Sequence, residues 1–503
     1  MNSVDYLQLL KLAAPETIVV VAALGVLFAD LGVMRSESRQ SRLLIAGAIS
    51  ALACFAAWMW IIFTPVHASV LNGVWVVDPL TQIIKQVILV LTLLTAAISI
   101  NSTFTDHVGE YTALVLLATA GMMFMVSSED ILMIFVSLEL TSLCLYALTA
   151  FNKRQPASAE AALKYFLYGS MAAAFTLFGL SLLYGLSGSS NLTTIARSLA
   201  GRGMDPMLAV ALVMTVIGLG FKVAAVPFHL WAPDAYQGAP TPAAALIASG
   251  SKVASFYLFA KVMMVGFAGA EGSGAWGGFS PGWTPVIATL AVFSMVLGNL
   301  AAIAQRSVRR LLAYSAISHA GYMLLALLAL AEPAHRQQAM AALVFYAATY
   351  GLTTVGAFAV VSVIAQGENR DDFGAFAGLS RRAPVLALCL MVFFLSLAGI
   401  PPLAGFFGKF YVFTVATGLG SSSFSLLWLV IFAIAMSAVS LYYYLQVLKQ
   451  AYVVSAPDGT AALPLALSDR ITLISVAIGV VILGVVPNVL LGPLQAAVEA
   501  TLK

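Results

Sequence analysis

The chain has 503 residues, of which 61% are hydrophobic and 9% are charged, and its formal net charge is +3. Soluble domains carry about 25% charged residues, so this composition excludes a soluble globular protein and indicates a polytopic membrane protein. The small net charge, without a basic cluster or an acidic tail, gives no sign of a nucleic-acid-binding surface. The apolar runs are longer and more continuous than the ~10-residue alternating strands of an outer-membrane barrel, so the predicted spans are helices.

Hydropathy windows of about 19 residues predict fourteen transmembrane helices, and therefore an all-α polytopic fold. The twelfth segment is too long for one span and contains Pro401 followed by Pro402, so we predict a broken helix there. In chain order, the predicted spans cover 15–34, 43–63, 79–100, 110–126, 130–150, 161–186, 207–226, 242–268, 283–303, 310–331, 338–365, 385–419, 424–449 and 471–492.

Two predicted spans, the seventh and the twelfth, contain or adjoin prolines that break a helix, and they lie five spans apart. An odd offset inverts the topology, so spans four to eight and nine to thirteen are expected to form two inverted five-helix repeats, an arrangement common in transporters. The expected units are an N-terminal three-helix segment at 1–105, a first repeat at 106–270, a second repeat at 271–450 and a C-terminal helix within 451–503.

Lysine and arginine are distributed unevenly between the loops on the two sides. With the N-terminus outside, the inner loops hold thirteen basic residues and the outer segments five, so the positive-inside rule predicts that both termini lie on the outer side. Six lysines and no arginine remain within the spans. Burial lets a lysine gain and lose a proton near neutral pH, whereas arginine stays charged, so this choice favours proton chemistry. The six are Lys85, Lys164, Lys222, Lys252, Lys261 and Lys409.

Three charged residues near mid-depth or beside a helix break are the first candidates for an ion path. Glu139 lies about ten residues into the fifth span with no basic residue within four positions, so it must pair across helices or be protonated. Lys222 precedes Pro227 by five residues, and Lys409 follows the second break. Because a proline frees backbone carbonyls, a charge beside such a break is typical of an ion pathway. The alternative for Lys222 is a side chain that reaches the inner surface.

Two further candidates lie in later spans. Lys252 is central in the eighth span, and Lys261 lies nine residues later, on the opposite helix face, where it is expected to reach towards the outer surface. His319 lies ten residues into the tenth span among serine and tyrosine hydroxyls that can hold water, so we predict a proton relay there rather than a packing residue.

The remaining charged groups are weaker candidates. Glu160 and Lys164 form an i,i+4 pair that is either a surface pair or a gate near Glu139. Lys85 is expected to reach the outer surface. Other acidic residues lie near span ends, where a charge is tolerated at low energetic cost; they are Glu16, Asp30 and Asp78.

The three cysteines give no sign of a bound cofactor. Cys54, Cys144 and Cys389 are far apart, each in an apolar run, without a CxxC pair or a Cys/His cluster. An iron–sulfur cluster, a zinc site or a disulfide framework is therefore not expected, and neither a metal site nor a cofactor site is predicted in this chain.

Four segments together resemble the antiporter-like membrane subunits of respiratory complex I, the proton-pumping NADH:quinone oxidoreductase. They are SLELTSL around Glu139, GFKVAAVPFHLWAPDAYQGAPTP, YSAISHAGY and AGIPPLAGFFGKF, and the resemblance extends over essentially the whole chain. The subunit M type has glutamate where this chain has Lys409, so the lysine and the AYQGAP segment favour the subunit N type.

The resemblance implies that this chain and its partner subunits have different roles. Partner subunits would hold NADH, FMN, iron–sulfur clusters and quinone, while this chain moves protons without a redox step of its own. Subunit M would lie on one side and the small subunits K and J on the other, in a bacterial inner membrane. Glu139 and Lys222 would form a coupled pair, Lys252 and His319 would pass the proton on, and Lys409 would release it.

Two other classes of function stay open at this point. A subunit of a multisubunit Na⁺/H⁺ antiporter, or of a membrane-bound hydrogenase, would share the glutamate and lysine positions. A structural membrane subunit without proton conduction is the third class. Genes for NADH-oxidising and quinone-site subunits beside this gene would favour complex I over the first of these.

Overall fold

Long apolar helices make up most of the computed structural model. Thirteen helices in the described part of the chain are long and apolar enough to cross a membrane. A short antiparallel hairpin, β1 (Ala68–Val70) and β2 (Trp75–Val77), was not expected in an all-α fold and covers the turn between two spans, where the Val76 amide donates to the Ser127 carbonyl over 2.7 Å. The structure describes residues 6–64, 67–368, 370–418, 426–456 and 462–502.

Helices in the N-terminal segment and the first predicted repeat follow the hydropathy pattern. Several begin at a side-chain cap, such as Asp78 with Thr81 or Asp130 with Leu132 and Met133. In order they are α1 (Tyr6–Leu12), α2 (Ala14–Phe28), α3 (Arg39–Phe63), α4 (Pro79–Ser99), α5 (Val108–Val126), α6 (Ile131–Thr149), α7 (Pro156–Ser187), α8 (Leu192–Leu199), α9 (Pro206–Val223), α10 (Trp231–Gly238), α11 (Thr241–Ala248) and α12 (Gly250–Lys261).

The second half of the chain continues in the same way. Its helices are α13 (Trp283–Ile303), α14 (Val308–Ala329), α15 (Arg336–Glu368), α16 (Leu379–Arg382), α17 (Pro384–Ala398), α18 (Ala404–Thr417), α19 (Leu427–Tyr452), α20 (Leu467–Val485) and α21 (Asn488–Leu502). The last predicted span, 471–492, was wrong at its end: α20 stops at Val485 because Pro487 cannot continue it, and α21 follows separately.

Both predicted helix breaks are present. Helix α9 ends where Ala224 takes a left-handed conformation with φ 58°, and α17 ends at Gly399 with φ 88°. The peptide bonds before Pro227 and Pro402 are cis. The twelfth predicted span is therefore two shorter helices, α17 and α18, as the two adjacent prolines indicated. The inverted relation of two five-helix units stays a prediction.

A third break was missed. The eighth predicted span, 242–268, is divided at Ser249, whose φ of −118° and ψ of −86° separate α11 from α12. A serine flanked by glycine carries no strong breaking signal, and its hydroxyl compensates locally by donating to the Ala245 carbonyl over 2.6 Å.

Four helices are buried almost all round and form the interior. In the apolar stretch of 18 residues that identifies each span, 100% of the residues are buried in α11–α12, 94% in α14 and 89% in α15. In α2, α3, α19 and α20 at most 33% are buried. A helix that is apolar on every face and covered on every face belongs to a core, so the polar residues of α12, α14 and α15 are held away from lipid.

Small residues let these helices approach closely. A Cβ placed on Gly218 of α9 would lie 1.6 Å from the Thr176 hydroxyl oxygen of α7, and one on Gly298 of α13 would lie 2.6 Å from the Ser318 amide nitrogen of α14. Close contact through glycine is the usual way for membrane helices to pack. It fixes the helices that carry Lys222 and His319.

Candidate functional site

Glu139 and Lys222 lie on neighbouring helices but do not touch. The Lys222 ammonium donates to the Ser142 hydroxyl in a short hydrogen bond, and that hydroxyl donates to the Leu138 carbonyl of its own helix. Ser142 lies one turn after Glu139 on α6. Within the described residues, no ion pair joins Glu139 to Lys222, although the carboxylate is near enough to act on the ammonium electrostatically. The predicted pair is thus brought together with a serine between its members.

The Val223 carbonyl, which is freed at the first break, is bound by Lys252 and not by the nearby Lys222. The Lys252 ammonium donates to the Val223 carbonyl at the end of α9 over 2.9 Å, and to the Ala316 carbonyl of α14 over 3.0 Å. The left-handed residue Ala224 turns the chain away and exposes the first of these carbonyls. The negative end of a helix favours a cation, by about 0.3–2 kcal/mol. Lys252 therefore links the helix of Lys222 to α14.

His319 is held by two tyrosines from other helices. Its Nδ1 is 2.8 Å from the Tyr346 hydroxyl of α15, and its Nε2 is 3.2 Å from the Tyr444 hydroxyl of α19. The Tyr444 hydroxyl is also 2.5 Å from the Ser315 hydroxyl. The sequence pointed to hydroxyls flanking the histidine along α14, but the hydroxyls within hydrogen-bond distance of the two ring nitrogens come from α15 and α19. The tyrosines give each ring nitrogen a partner that can both donate and accept a proton.

Lys409 binds the carbonyls freed at the second break. Its ammonium donates to the carbonyls of Leu397 and Ala398 over 3.1 and 3.0 Å, and to the Ser437 hydroxyl over 2.8 Å. A Cβ on Gly399 would lie only 3.3 Å from this ammonium nitrogen, so the glycine allows the close approach. The two breaks therefore share one arrangement, in which a lysine from a following helix binds the exposed end of the broken one.

An aromatic ring lies between His319 and Lys409. The Tyr322 ring is 5.7 Å from the His319 ring, edge to face, and its centroid is 5.1 Å from the Lys409 ammonium. Two earlier links precede this one. Lys222 is adjacent in α9 to Val223, whose carbonyl binds Lys252, and Lys252 also binds Ala316, which lies one turn before His319 in α14. The structure thus brings five predicted site residues into one series: the half-buried Glu139 and Lys222 and the buried Lys252, His319 and Lys409.

Lys164 belongs to a separate ion-pair network near a helix end. Its ammonium is 2.6 Å from Glu160 Oε1 and 3.0 Å from Asp234 Oδ2, and Arg310 Nη1 is 2.5 Å from Asp234 Oδ1. Burial alone would raise the pKa of Asp234, but the hydrogen bonds from Arg310 and Lys164 outweigh it and hold that pKa below its usual range. The network joins α7, α10 and α14, and no ion pair connects Lys164 to Glu139 in the described part of the chain.

Several charges expected near a surface are buried instead. The Lys85 ammonium lies 2.7 Å from Glu16 Oε1, and these side chains are 2% and 0% exposed. Lys261 donates to the carbonyls of Val126 and Ser128 at the end of α5, over 3.2 and 3.4 Å. A carboxylate or a helix end in reach removes the need to extend to the surface.

Two acidic residues at span ends are also buried. Asp30 receives two hydrogen bonds of 2.6 Å from Arg42, and a third of 2.8 Å from the Gly109 amide. Asp78 caps α4 by accepting from the Thr81 amide over 2.8 Å. At both span ends, nearby donors within the fold therefore hold the buried carboxylate.

Sequence reasoning missed four hydroxyl residues of the series. Ser142 had a usable signal, because it lies three positions after Glu139 and so on the same face of α6. The other three lie far along the chain from the groups they contact, and no local pattern identifies them; they are Tyr346, Ser437 and Tyr444.

No cluster of three or more His, Cys, Asp or Glu side chains with the geometry of a metal site occurs among the described residues. The three cysteines, Cys54, Cys144 and Cys389, are buried free thiols.

Comparison with known proteins shows which family shares these features. A family model described as "NADH:quinone oxidoreductase/Mrp antiporter, TM" matches residues 128–437, which include all five members of the series. A relative from Acidobacterium capsulatum, NADH-quinone oxidoreductase subunit N 2, is 49% identical over 502 residues, which cover 98% of this chain and 99% of the relative. The chain belongs to the subunit N family of NADH-quinone oxidoreductase. A second member, from Desulfovibrio desulfuricans, is 38% identical over 98% of this chain and 97% of its own length.

Solved structures agree. A chain of respiratory complex I from Thermus thermophilus with bound aureothin superposes with a TM-score of 0.78 at 34% identity, covering 96% of this chain and 100% of that one. A chain of the Mrp complex from Dietzia superposes with a TM-score of 0.80 at 21% identity, which shows a shared fold alone. The predicted resemblance to antiporter-like subunits of complex I, nearest to subunit N, is confirmed, as is the helical membrane fold. The roles of the site residues stay predictions.

Proposed function

We propose that the chain moves protons through the membrane along the series from Glu139 to Lys409, as the subunit N of a complex I. The observation that carries this proposal is the continuity of the series. Each lysine or histidine in it is joined to the next through a shared helix end, one helical turn or one aromatic ring. Ionisable groups at this depth are rare and usually mark an ion path.

The first step lies at Glu139 and Lys222. While the carboxylate is charged and near, it favours the protonated ammonium, and Ser142 supplies a neutral acceptor for it. When the carboxylate is neutralised, the ammonium loses its counter-charge and its proton passes to the neutral amine of Lys252.

The second step uses the imidazole. A proton taken up at one ring nitrogen of His319 can be released from the other, because each nitrogen faces a tyrosine hydroxyl. Lys409 is the last acceptor and the site of release. Movement of one charge against 100 mV requires about 2.3 kcal/mol, so an event in another subunit must drive the pair at the start.

The setting follows from the family. NADH, FMN, iron–sulfur clusters and quinone would be bound by partner subunits, with no redox step in this chain. Subunit M would lie against one side and subunits K and J against the other. The thirteen basic residues of the inner loops, against five outside, support a bacterial inner membrane with both termini on the outer side. Lys164 would be a gate at the inner end, through its pair with Asp234.

Charge removal at the first pair tests this function. Glu139→Gln and Lys222→Met are expected to lower proton uptake about tenfold in vesicles that contain the assembled complex, because neither new side chain can take up and release a proton. Glu37→Gln and Lys153→Met are matched controls, since both native residues are exposed. Pumping at the normal ratio to NADH oxidation, in complexes that assemble fully, would contradict the relay and favour a structural subunit.

A further inference from the structure

The buried pair of Glu16 and Lys85 lies outside the series described above. Glu16 is on α2 and Lys85 on α4, both in the N-terminal three-helix segment, and the whole residues are 0% and 1% exposed. A buried lysine–glutamate pair can hold a proton on either partner, because transfer from Nζ to Oε1 converts two charges into two neutral groups. It therefore has the chemistry of the pair at the start of the relay.

The surroundings of Glu16 are incomplete for a purely structural ion pair. Oε1 has only its 2.7 Å contact with the Lys85 ammonium, and Oε2 has no hydrogen-bond donor among the described residues. Asp30 and Arg42 form the contrasting case, because that carboxylate accepts three hydrogen bonds. Buried polar atoms in native proteins nearly always have a partner, so an unsatisfied carboxylate calls for a functional explanation.

A small cavity lies beside Lys85 and leads towards the surface. It has a volume of about 20 Å³ and is lined by Lys85 together with Gln82, Thr64 and Lys11. A water molecule needs roughly 10–15 Å³ and two to four polar partners, so this cavity can hold one. Lys11 is exposed, which places the cavity between the buried pair and the surface.

Helix α4, which carries Lys85, packs against helix α12 of the relay. Lys261 ends α12, nine residues and so about 13 Å beyond Lys252. The charges of Lys85 and Lys261 interact, and those of Asp78 and Glu129 also act on Lys261. The Trp75 ring of the hairpin lies 5.4 Å from the Lys85 ammonium and covers this region.

We propose that Glu16 and Lys85 form a second proton-transfer site, which moves protons between Lys261 and the surface beside Lys11. This site rests on the proposed function, because it would serve the same relay helix. An N–H bond of the Lys85 ammonium breaks and its proton passes to Glu16 Oε1 across their 2.7 Å contact, which leaves a neutral amine and a carboxylic acid. The Lys85 amine then takes a proton from the Lys261 ammonium, whose charge acts on it. Release of the Glu16 proton through the cavity restores the ion pair, and one proton has moved.

The test uses the assembled complex in vesicles. The double variant Glu16→Gln with Lys85→Met removes both charges, so that no unpaired buried charge remains, and Glu16→Gln is made alone as well. Protons released per NADH oxidised are expected to fall about twofold or more in both. The infrared difference spectrum during turnover should lose a carboxylic acid band in Glu16→Gln. As a matched control, Asp30→Asn with Arg42→Met removes a buried pair whose hydrogen bonds are complete, and it should leave the ratio unchanged.

The outcomes separate the two proposals. An unchanged ratio in the double variant, with the infrared band retained in Glu16→Gln, overturns the second site; the relay then stands if Glu139→Gln pumps less in the same assay. Normal pumping by Glu139→Gln overturns the relay and the second site together. A fall in the ratio in the Asp30 and Arg42 control as large as in the double variant also overturns the site, because loss of any buried pair would then suffice.

Discussion

Substitution of Lys409 separates two roles that its contacts combine. Its ammonium stabilises the end of α17 through two carbonyls, and it is the proposed last proton acceptor. Methionine leaves the carbonyls of Leu397 and Ala398 without their donor. Each buried acceptor without a partner costs about 1–3 kcal/mol, so Lys409→Met should lower the stability of this region by roughly 2–6 kcal/mol. Arginine keeps a permanent positive charge at the helix end but cannot release a proton.

The two variants therefore give different patterns. Thermal unfolding of the assembled complex should show a larger loss for Lys409→Met than for Lys409→Arg, because the guanidinium can still donate to the carbonyls. Proton uptake by vesicles during NADH oxidation should fall about tenfold in both, since neither residue can gain and lose a proton at neutral pH. Wild-type pumping by Lys409→Arg would refute the reasoning, because it would show that a fixed charge at the helix end is sufficient.

Three further substitutions test single contacts. Tyr346→Phe removes the hydroxyl that bonds His319 over 2.8 Å; we expect a loss of about 1 kcal/mol in stability and a larger, several-fold loss in proton uptake. Gly408→Ala places a Cβ 2.5 Å from a ring carbon of Tyr346 and should destabilise the complex by about 1–3 kcal/mol, whereas Gly185→Ala, with nothing within 4 Å, should not. Asp234→Asn should lower stability by about 1 kcal/mol at neutral pH, because its ion pairs are partly exposed. That difference from wild type should disappear in acid, as the pH falls through the depressed pKa of Asp234.

Hydropathy and proline positions predicted the helices well because the membrane limits the choice of structure. Backbone groups within lipid must be satisfied inside the protein, so a long apolar run becomes a helix and a proline within it becomes a break. The breaks near Pro227 and at Pro402 follow this rule. The break at Ser249 does not, because neither the serine nor the glycine after it excludes a helix.

The partners of the charged groups were much harder to predict. Lys85 and Glu16 are 69 positions apart; the sequence suggested that Lys85 reached the outer surface, and it placed Glu16 only near a span end. The tyrosines around His319 come from helices 27 and 125 positions away. Local sequence shows that a charge must have a partner, since an isolated charge in a membrane is costly, but it does not show which helix supplies the partner.

The chain thus holds two carboxylate–lysine pairs in different arrangements. Glu16 and Lys85 are in direct contact at 2.7 Å, whereas Lys222 is bonded to Ser142 and Glu139 stands apart from it. A carboxylate in direct contact favours the charged form of the lysine. A lysine that donates to a hydroxyl can lose its proton more easily, because the neutral hydroxyl is not left as an unpaired buried charge. The pair of Glu139 and Lys222 is therefore arranged to release a proton, whereas the pair of Glu16 and Lys85 is arranged to keep one. Such opposition would prevent a proton from leaking through both sites at once, which a pump working against the membrane potential requires.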